Sequence, residues 1–320
     1  MLRAAILLSF AMLIVHLAKS EDLVYYIAPR MQSYVKYSSV GLYIIAIYQV
    51  YLGIQSLWRK PFTFDCDCNH SDTNSRLKST VTYSLFILPL LLGFLLPNNA
   101  MSSAVADQKG MNLSASSAAP AITKQLSSSA SNTKSDLVNQ TQSSPLPAKV
   151  QTHSSSSTSS ASLTDEQIKK LFTAPDAYTE DFAKMGIILY KRDRIVVKPD
   201  IYMEILSTVD LFKENFYGKE MELTGFVYRE DGLKDDQFIV GRFAVSCCSA
   251  DALPYGVLVD FPTANHFTKD AWVKVIGTIE PASYQDNDIF KIHASQIESI
   301  PDPGTPYVYP NFDPIPELKK

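Results

Sequence analysis

Three uncharged apolar runs fall within the first hundred residues, and they restrict what this chain can fold into more than any other feature. They cover residues 4–18, 40–58 and 80–96. A bilayer core requires about 20 predominantly apolar residues in a helix, because no water is there to satisfy exposed backbone groups. The first run follows a single Arg3 and has two readings, a retained transmembrane helix or a signal peptide cut near Ala18-Lys19-Ser20. The helix is preferred, since further spans follow and Lys19 fits a cleavage box badly. The second run is rich in Tyr and ends in Trp58-Arg59-Lys60, an aromatic belt backed by cations. Gln49 and Gln55 within it suit a helix that faces protein as well as lipid. The third holds Pro89 and Gly93. Loop 59–79 carries Arg59, Lys60, Arg76 and Lys78, against Lys19, Arg30 and Lys36 in the preceding loop. Together with Arg3, this bias places the N-terminus and loop 59–79 in the cytoplasm and everything after residue 97 outside.

From about Met101 to Ser162 the chain is Ser, Thr, Ala, Asn, Gln and Pro, without an aromatic residue. Such a segment buries too little apolar surface to offset its ordering entropy, so a disordered tether is expected over 100–163. By chain statistics it would span on the order of 40–50 Å. The chain thus divides into a transmembrane region (1–99), the tether, and an extracytoplasmic domain (164–320).

Order is expected to resume at Thr164-Asp165-Glu166-Gln167, a capping box opening a helix. Ile187–Tyr190 and Ile195–Val197 flank a charged turn and predict a hairpin, and Asp200 caps a second helix. Alternating strands follow: Met221–Tyr228, Phe238–Cys247, Val257–Phe261, Trp272–Ile279 and Ile289–His293. Five short strands, with Gly225 and Gly277 as bend sites and a helical turn near Asn265–Lys269, predict an OB-like five-stranded β-barrel. The fold class is therefore membrane-anchored α plus α+β or all-β, with helices flanking the barrel. The Pro- and Tyr-rich tail reads as an extended strap whose last residues fray.

A net charge of -4 and a pI near 5.8 offer no basic footprint, so nucleic acid is not an expected partner. There is no nucleotide loop, no Gly-x-Ser-x-Gly and no His-Glu-x-x-His, and the chain reads as a non-enzyme. Chemistry concentrates instead at Cys247-Cys248, three residues before Asp251. Strand alternation forbids both thiols from pointing inward. Three roles stay open: a packed core cysteine, a strained and reducible vicinal disulfide, or a soft-metal site for zinc or copper(I). The metal set would be Cys247, Cys248 and Asp251, joined by His266 or His293. Arg242 could pair with Asp251 across the strand end. A second cluster, Cys66, Cys68 and His70, places two thiolates and an imidazole within five residues of the cytoplasmic loop, one ligand short of a closed zinc site.

Three apolar spans, a low-complexity tether and Arg242-Phe243-x-x-x-Cys247-Cys248-x-Ala250-Asp251-Ala252 resemble the bacterial YcgQ family. Trp272-x-x-x-x-Gly277 and Pro303-x-x-Pro306-Tyr307-x-Tyr309-Pro310 look like that family's closing motifs. The resemblance implies a subunit of a membrane permease, paired with a polytopic partner in the bilayer and concerned with divalent-metal traffic. Members often carry a His-rich cytoplasmic loop, where this chain offers only Cys66, Cys68 and His70. The expected function is an accessory permease subunit whose outer domain binds or hands over substrate. The alternatives are a tethered thiol oxidoreductase and an OB-type module for an extracellular polymer.

Overall fold

All three apolar runs become helices: α1 (Leu2–Lys19), α2 (Pro29–Trp58) and α3 (Arg76–Leu95). The computed structural model describes residues 2–58, 76–95, 101–114, 164–174, 176 and 179–319. α1 and α2 are long and apolar enough to cross a bilayer, whereas the apolar part of α3, Val81–Leu95, falls short of a full span. α1 packs on both α2 and α3. Its buried residues, Ala4 and Ala11, lie seven apart, as do Ser39 and Ala46 of α2. A seven-residue repeat of small side chains gives each helix one flat stripe, along which two backbones can approach closely. Gly93 of α3 extends this packing: a Cβ there would come within 3.0 Å of a Leu13 methyl.

The C-terminal domain is built on a seven-stranded mixed sheet: β1 (Arg194–Val196), β2 (Glu220–Tyr228), β3 (Gln237–Ala244), β4 (Leu253–Asp260), β5 (Trp272–Tyr284), β6 (Asn287–Ser299) and β7 (Tyr307–Val308). β2 pairs with β5 over its first part and with β3 over its last, so the pairings β2–β3–β4–β6–β5–β2 close on themselves. The changeover falls at Gly225, where a Cβ would stand 2.5 Å from the Gly241 carbonyl oxygen. Only a residue without a side chain lets β3 come that close. The sequence predicts five strands; two short parallel additions make seven. β1 joins β2 and β7 joins β3, and each is too short to show an alternation of its own. β5 and β6 form a long hairpin turning at Gln285 and Asp286, both with positive φ. A bulge between Ile276 and Gly277 interrupts that hairpin.

Helices cover one side of the strands. α5 (Asp165–Leu171), α6 (Glu180–Tyr190) and α7 (Tyr202–Leu211) share a core with Val227, Phe238, Val240, Val257, Val273 and Ile292. The predicted hairpin over 187–197 is therefore incorrect. Ile187–Tyr190 ends α6, whose buried Ala183, Met185, Gly186 and Leu189 recur at helical spacing. A four-residue apolar run alone does not distinguish helix from strand. The capping box at Thr164 forms as expected. The C-terminal residues do not fray; Pro314–Lys319 is a helix that buries Leu318.

The opposite side of the strands is covered by residues that composition assigned to the tether. α4 (Ser103–Lys109) and the residues up to Ser114 pack Ala106, Met111 and Leu113 against Phe226, Ile239, Phe243, Trp272 and Tyr307. Asn112 accepts from Gly256 N–H and donates to the Pro254 carbonyl, both at 3.0 Å. Ser103 is tied to the Asp270 carboxylate through its backbone N–H and its hydroxyl. Only five residues separate Leu95 from Met101, a reach of about 20 Å at full extension. The domain therefore stays near the end of α3, and the low-complexity stretch departs from the domain surface rather than linking it to the helices. Its residues 115–163 lie outside the described residues.

At the β5–β6 bulge, a Cβ on Gly277 would overlap the His293 carbonyl oxygen and sit 2.6 Å from the Ala294 Cα. Backbone cannot move aside as a flexible side chain can. Gly277→Ala should cost about 2–3 kcal/mol, read as a lowered urea midpoint by tryptophan fluorescence.

Candidate metal centre

β3 ends at Ala244, and the alternation expected to continue into the cysteines stops there. Phe243 and Val245 are buried, but Cys247 is exposed and Cys248 half-buried. The reason is Asp251. Its Oδ1 accepts the Ser246 N–H at 2.9 Å, and its Oδ2 accepts those of Cys247 at 2.6 Å and Cys248 at 3.4 Å. Three consecutive amides turned toward one carboxylate are incompatible with a strand, whose amides alternate in direction. The backbone becomes an anion-binding turn, closed by a short 3₁₀ segment at Ser249–Asp251. Lys109 of α4 braces it from outside, donating to the Ala252 carbonyl at 2.6 Å and to that of Ala250 at 3.3 Å.

Both thiols thereby face the same carboxylate. The two Sγ atoms are 3.6 Å apart, and the thiol and carboxylate donors of Cys247, Cys248 and Asp251 all lie within 4.8 Å of one another. This is the one such group of three among the described residues. Zinc–sulfur bonds of about 2.3 Å at a tetrahedral angle would place two sulfurs about 3.8 Å apart, close to the 3.6 Å between these two. Three ligands leave a fourth position for water or a passing ligand.

Electrostatics keep the Cys247 thiol protonated when nothing is bound. A hydrogen bond to Asp251 and a second to Cys248, with some desolvation, push the Cys247 thiol up to about 12. Burial works against the charge on Asp251, but bonds from the Cys247 thiol and the three amides outweigh it and hold its pKa below the usual value. The signs follow. Stability from Asp251 is present above the ordinary carboxylate range and is lost as acid protonates it. Stability from the Cys247 proton is present below the ordinary thiol range and fades as pH climbs towards 12. A protonated thiol is a poor nucleophile, which disfavours spontaneous disulfide exchange here.

The carbonyl side of the same turn is clasped by the connection between α1 and α2. Ala28 N–H donates to the Cys247 carbonyl at 3.0 Å, and Ser249 N–H to the Tyr26 carbonyl at 2.8 Å. Ile27 and Cys248 form an antiparallel bridge. Arg30 donates to the Ser246 carbonyl at 2.6 Å while its guanidinium stacks over Phe312 at 5.1 Å. The thiol turn thus rests directly on the helical hairpin. Sequence reasoning missed Tyr26, Ala28, Arg30 and Lys109, and no local pattern marks them, since each meets the backbone of a turn more than 130 residues away.

The other expected site residues lie elsewhere. Arg242 does not pair with Asp251; it is buried, donates to the Thr224 carbonyl and hydroxyl at 2.8 Å, and lies over Trp272 at 4.9 Å. An arginine on β3 points into the sheet, whereas Asp251 follows the break. His266 and His293 are exposed and outside the thiol cluster. Cys66, Cys68 and His70 lie outside the described residues.

Cys247 is exposed yet should resist alkylation. At pH 8 a thiol titrating near 12 is ionised about one part in ten thousand, against roughly a quarter for an ordinary one. Iodoacetamide should modify it at least about tenfold more slowly than a cysteine in a free peptide. Asp251→Asn should remove most of that protection, as read by peptide mass spectrometry.

The DUF1980 N-terminal domain matches residues 2–112, and the DUF1980 C-terminal domain matches residues 172–310. The first match runs through α4 to Asn112, the segment that packs on the sheet, and the stretch between the two matches contains the low-complexity run. UPF0703 protein YcgQ of Bacillus subtilis (strain 168) is 27% identical over 144 residues, 44% of this chain and 50% of that protein. A protein of Streptococcus mutans serotype c (strain ATCC 700610 / UA159) named "Putative two-component membrane permease complex subunit" is 25% identical over 317 residues, 98% of this chain and 100% of its own length. The match therefore spans half of the first relative and the whole of the second. With both domains matched, and with the apolar helices and cysteine turn in place, the chain carries the two DUF1980 domains and is a relative of YcgQ.

Proposed function

We propose that this protein is a non-enzymatic accessory subunit of a polytopic membrane permease, and that Cys247, Cys248 and Asp251 bind a zinc or copper(I) ion for hand-over to that partner. The observation that carries the metal reading is the meeting of two sulfurs 3.6 Å apart with a carboxylate inside one 4.8 Å group. The name of the full-length Streptococcus relative supports the subunit reading. An open fourth position suits transfer better than permanent structural binding. When bound, the ion would supply the positive charge that draws protons from the thiols. Asp251 holds the turn and Lys109 braces it, so the donors need no refolding to bind.

The membrane arrangement belongs to the same reading. α1, α2 and α3 are taken as three spans, with a cytoplasmic N-terminus and an extracytoplasmic C-terminal domain. The clasp between residues 26–30 and 246–249 supports this topology, because α2 and α3 together return the chain to the side of the α1–α2 connection. The domain is read as OB-type; the self-closing pairings, parallel β4 and β6 and the helical turn at Ala264–His266 support that. Cys66, Cys68 and His70 would form a second soft-metal set on the opposite side of the membrane.

The test is metal stoichiometry on the full chain in detergent, purified without reductant and dialysed against zinc or copper(I). One ion per chain is expected, lost in Cys247→Ser and Cys248→Ser and weakened in Asp251→Ala. Because both thiol protons must leave on binding, affinity should rise about a hundredfold per pH unit between pH 6 and 8. Two free thiols with no retained metal at pH 8 would refute the metal reading. The subunit reading is checked separately, by whether a permease copurifies.

A further inference from the structure

α2 carries two opposite stripes, and only one of them is occupied. Ser39 and Ala46 are buried against α1. Half a turn away, Tyr34, Tyr37, Gly41, Ile44, Tyr48 and Tyr51 recur at alternating steps of three and four, so they share one face. The five side chains are among the most exposed on the helix: Tyr34 at 70%, Tyr37 at 76%, Ile44 at 63%, and Tyr48 and Tyr51 both at 59%. At Gly41 nothing comes within 4 Å of where a Cβ would stand, which leaves a notch halfway along the stripe.

Depth distinguishes these tyrosines. Lys36 and Arg59 bracket residues 37–58, an uncharged stretch of about 33 Å at the helical rise, close to the hydrocarbon thickness. Tyr34 and Tyr37 lie at its outer edge, where tyrosine hydroxyls meet headgroups and water. Tyr48 falls at its centre and Tyr51 about 5 Å beyond. Neither hydroxyl has a hydrogen-bond partner among the described residues. Lipid tails offer no acceptor, and a polar group left unpaired in hydrocarbon is strongly disfavoured. Pure lipid contact does not account for two such hydroxyls on the face turned away from α1.

We infer that this stripe docks a transmembrane helix of a second membrane protein, one that fits the Gly41 notch closely and presents hydrogen-bond acceptors to Tyr48 and Tyr51 about one turn apart. A notch beside a seam of large side chains suits interhelical packing, and side-chain hydroxyls act as polar glue between helices in the membrane. The occupant is a different protein rather than a second copy. The full-length Streptococcus relative is named as a subunit of a two-component membrane permease complex, which favours a different protein in that place. This inference rests on the permease-subunit reading for the existence of the partner and adds the surface that holds it.

The experiment places a photo-crosslinking residue at Ile44 in the full chain, in native membranes, with matched placements at the exposed Leu88 and Leu91 of α3 as controls. Adducts are identified by peptide mass spectrometry. The expected result is an adduct from position 44, and not from 88 or 91, to a membrane-spanning peptide of a permease that carries a hydrogen-bonding side chain. Its yield should fall about sevenfold when Tyr48→Phe and Tyr51→Phe are combined, from two interhelical hydrogen bonds of ordinary strength. Phe retains the ring and its packing, so this change reports on the hydroxyls. Adducts to lipid alone, adducts to a second copy of this chain, or a yield indifferent to the Phe pair would overturn the inference. If the permease crosslinks from 88 or 91 but not from 44, the docking stripe fails while the subunit reading survives. With no membrane protein captured at any position, both fall.

Discussion

The Asp251 carboxylate organises this molecule's chemistry. By drawing in the amides of Ser246, Cys247 and Cys248 it ends β3, turns both thiols outward and frees the carbonyls of the same turn to pair with the α1–α2 connection. It also raises the Cys247 thiol, so the site stays protonated until something positive displaces the proton. Backbone shape, thiol presentation and electrostatics follow from three hydrogen bonds to one side chain. A neutral residue there would leave three amides competing for water in a turn that also supports a helix hairpin.

That arrangement ties the C-terminal domain to the apolar helices more closely than a tethered module would be. The clasp at Tyr26–Arg30 and the cover formed by Met101–Ser114 both hold the domain near α1–α3. The thiol turn therefore sits directly against the residues that lead into α2. The small-residue packing of α1 on α2 leaves the tyrosine stripe of α2 facing outward. One helix thus begins at the thiol turn and carries the exposed tyrosine stripe along its length.

Much of this was legible beforehand, where the signal is local and strong. The apolar runs, the capping box at Thr164, the glycines at 225 and 277 and the grouping of Cys247, Cys248 and Asp251 all depend on neighbouring residues or on a single periodicity. The hairpin over 187–197 was misread because four apolar residues fit either period. The expected strand runs three residues past the end of β3, since no pattern in Val245–Cys248 announces that a carboxylate three residues on will capture its amides.

The sequence by itself determined that the chain meets a membrane, that an alternating β domain follows a low-complexity stretch, and that thiols and an acid share one turn. These depend on hydrophobicity, composition and spacing, which are properties of contiguous residues. Only the tertiary structure decided that Met101–Ser114 belongs to the domain, that two short strands extend the sheet to seven, and that the cysteine turn rests on the α1–α2 connection. Each involves backbone hydrogen bonds between segments that are not neighbours in the chain, and backbone groups are the same in every residue, so the sequence carries no mark of which will pair.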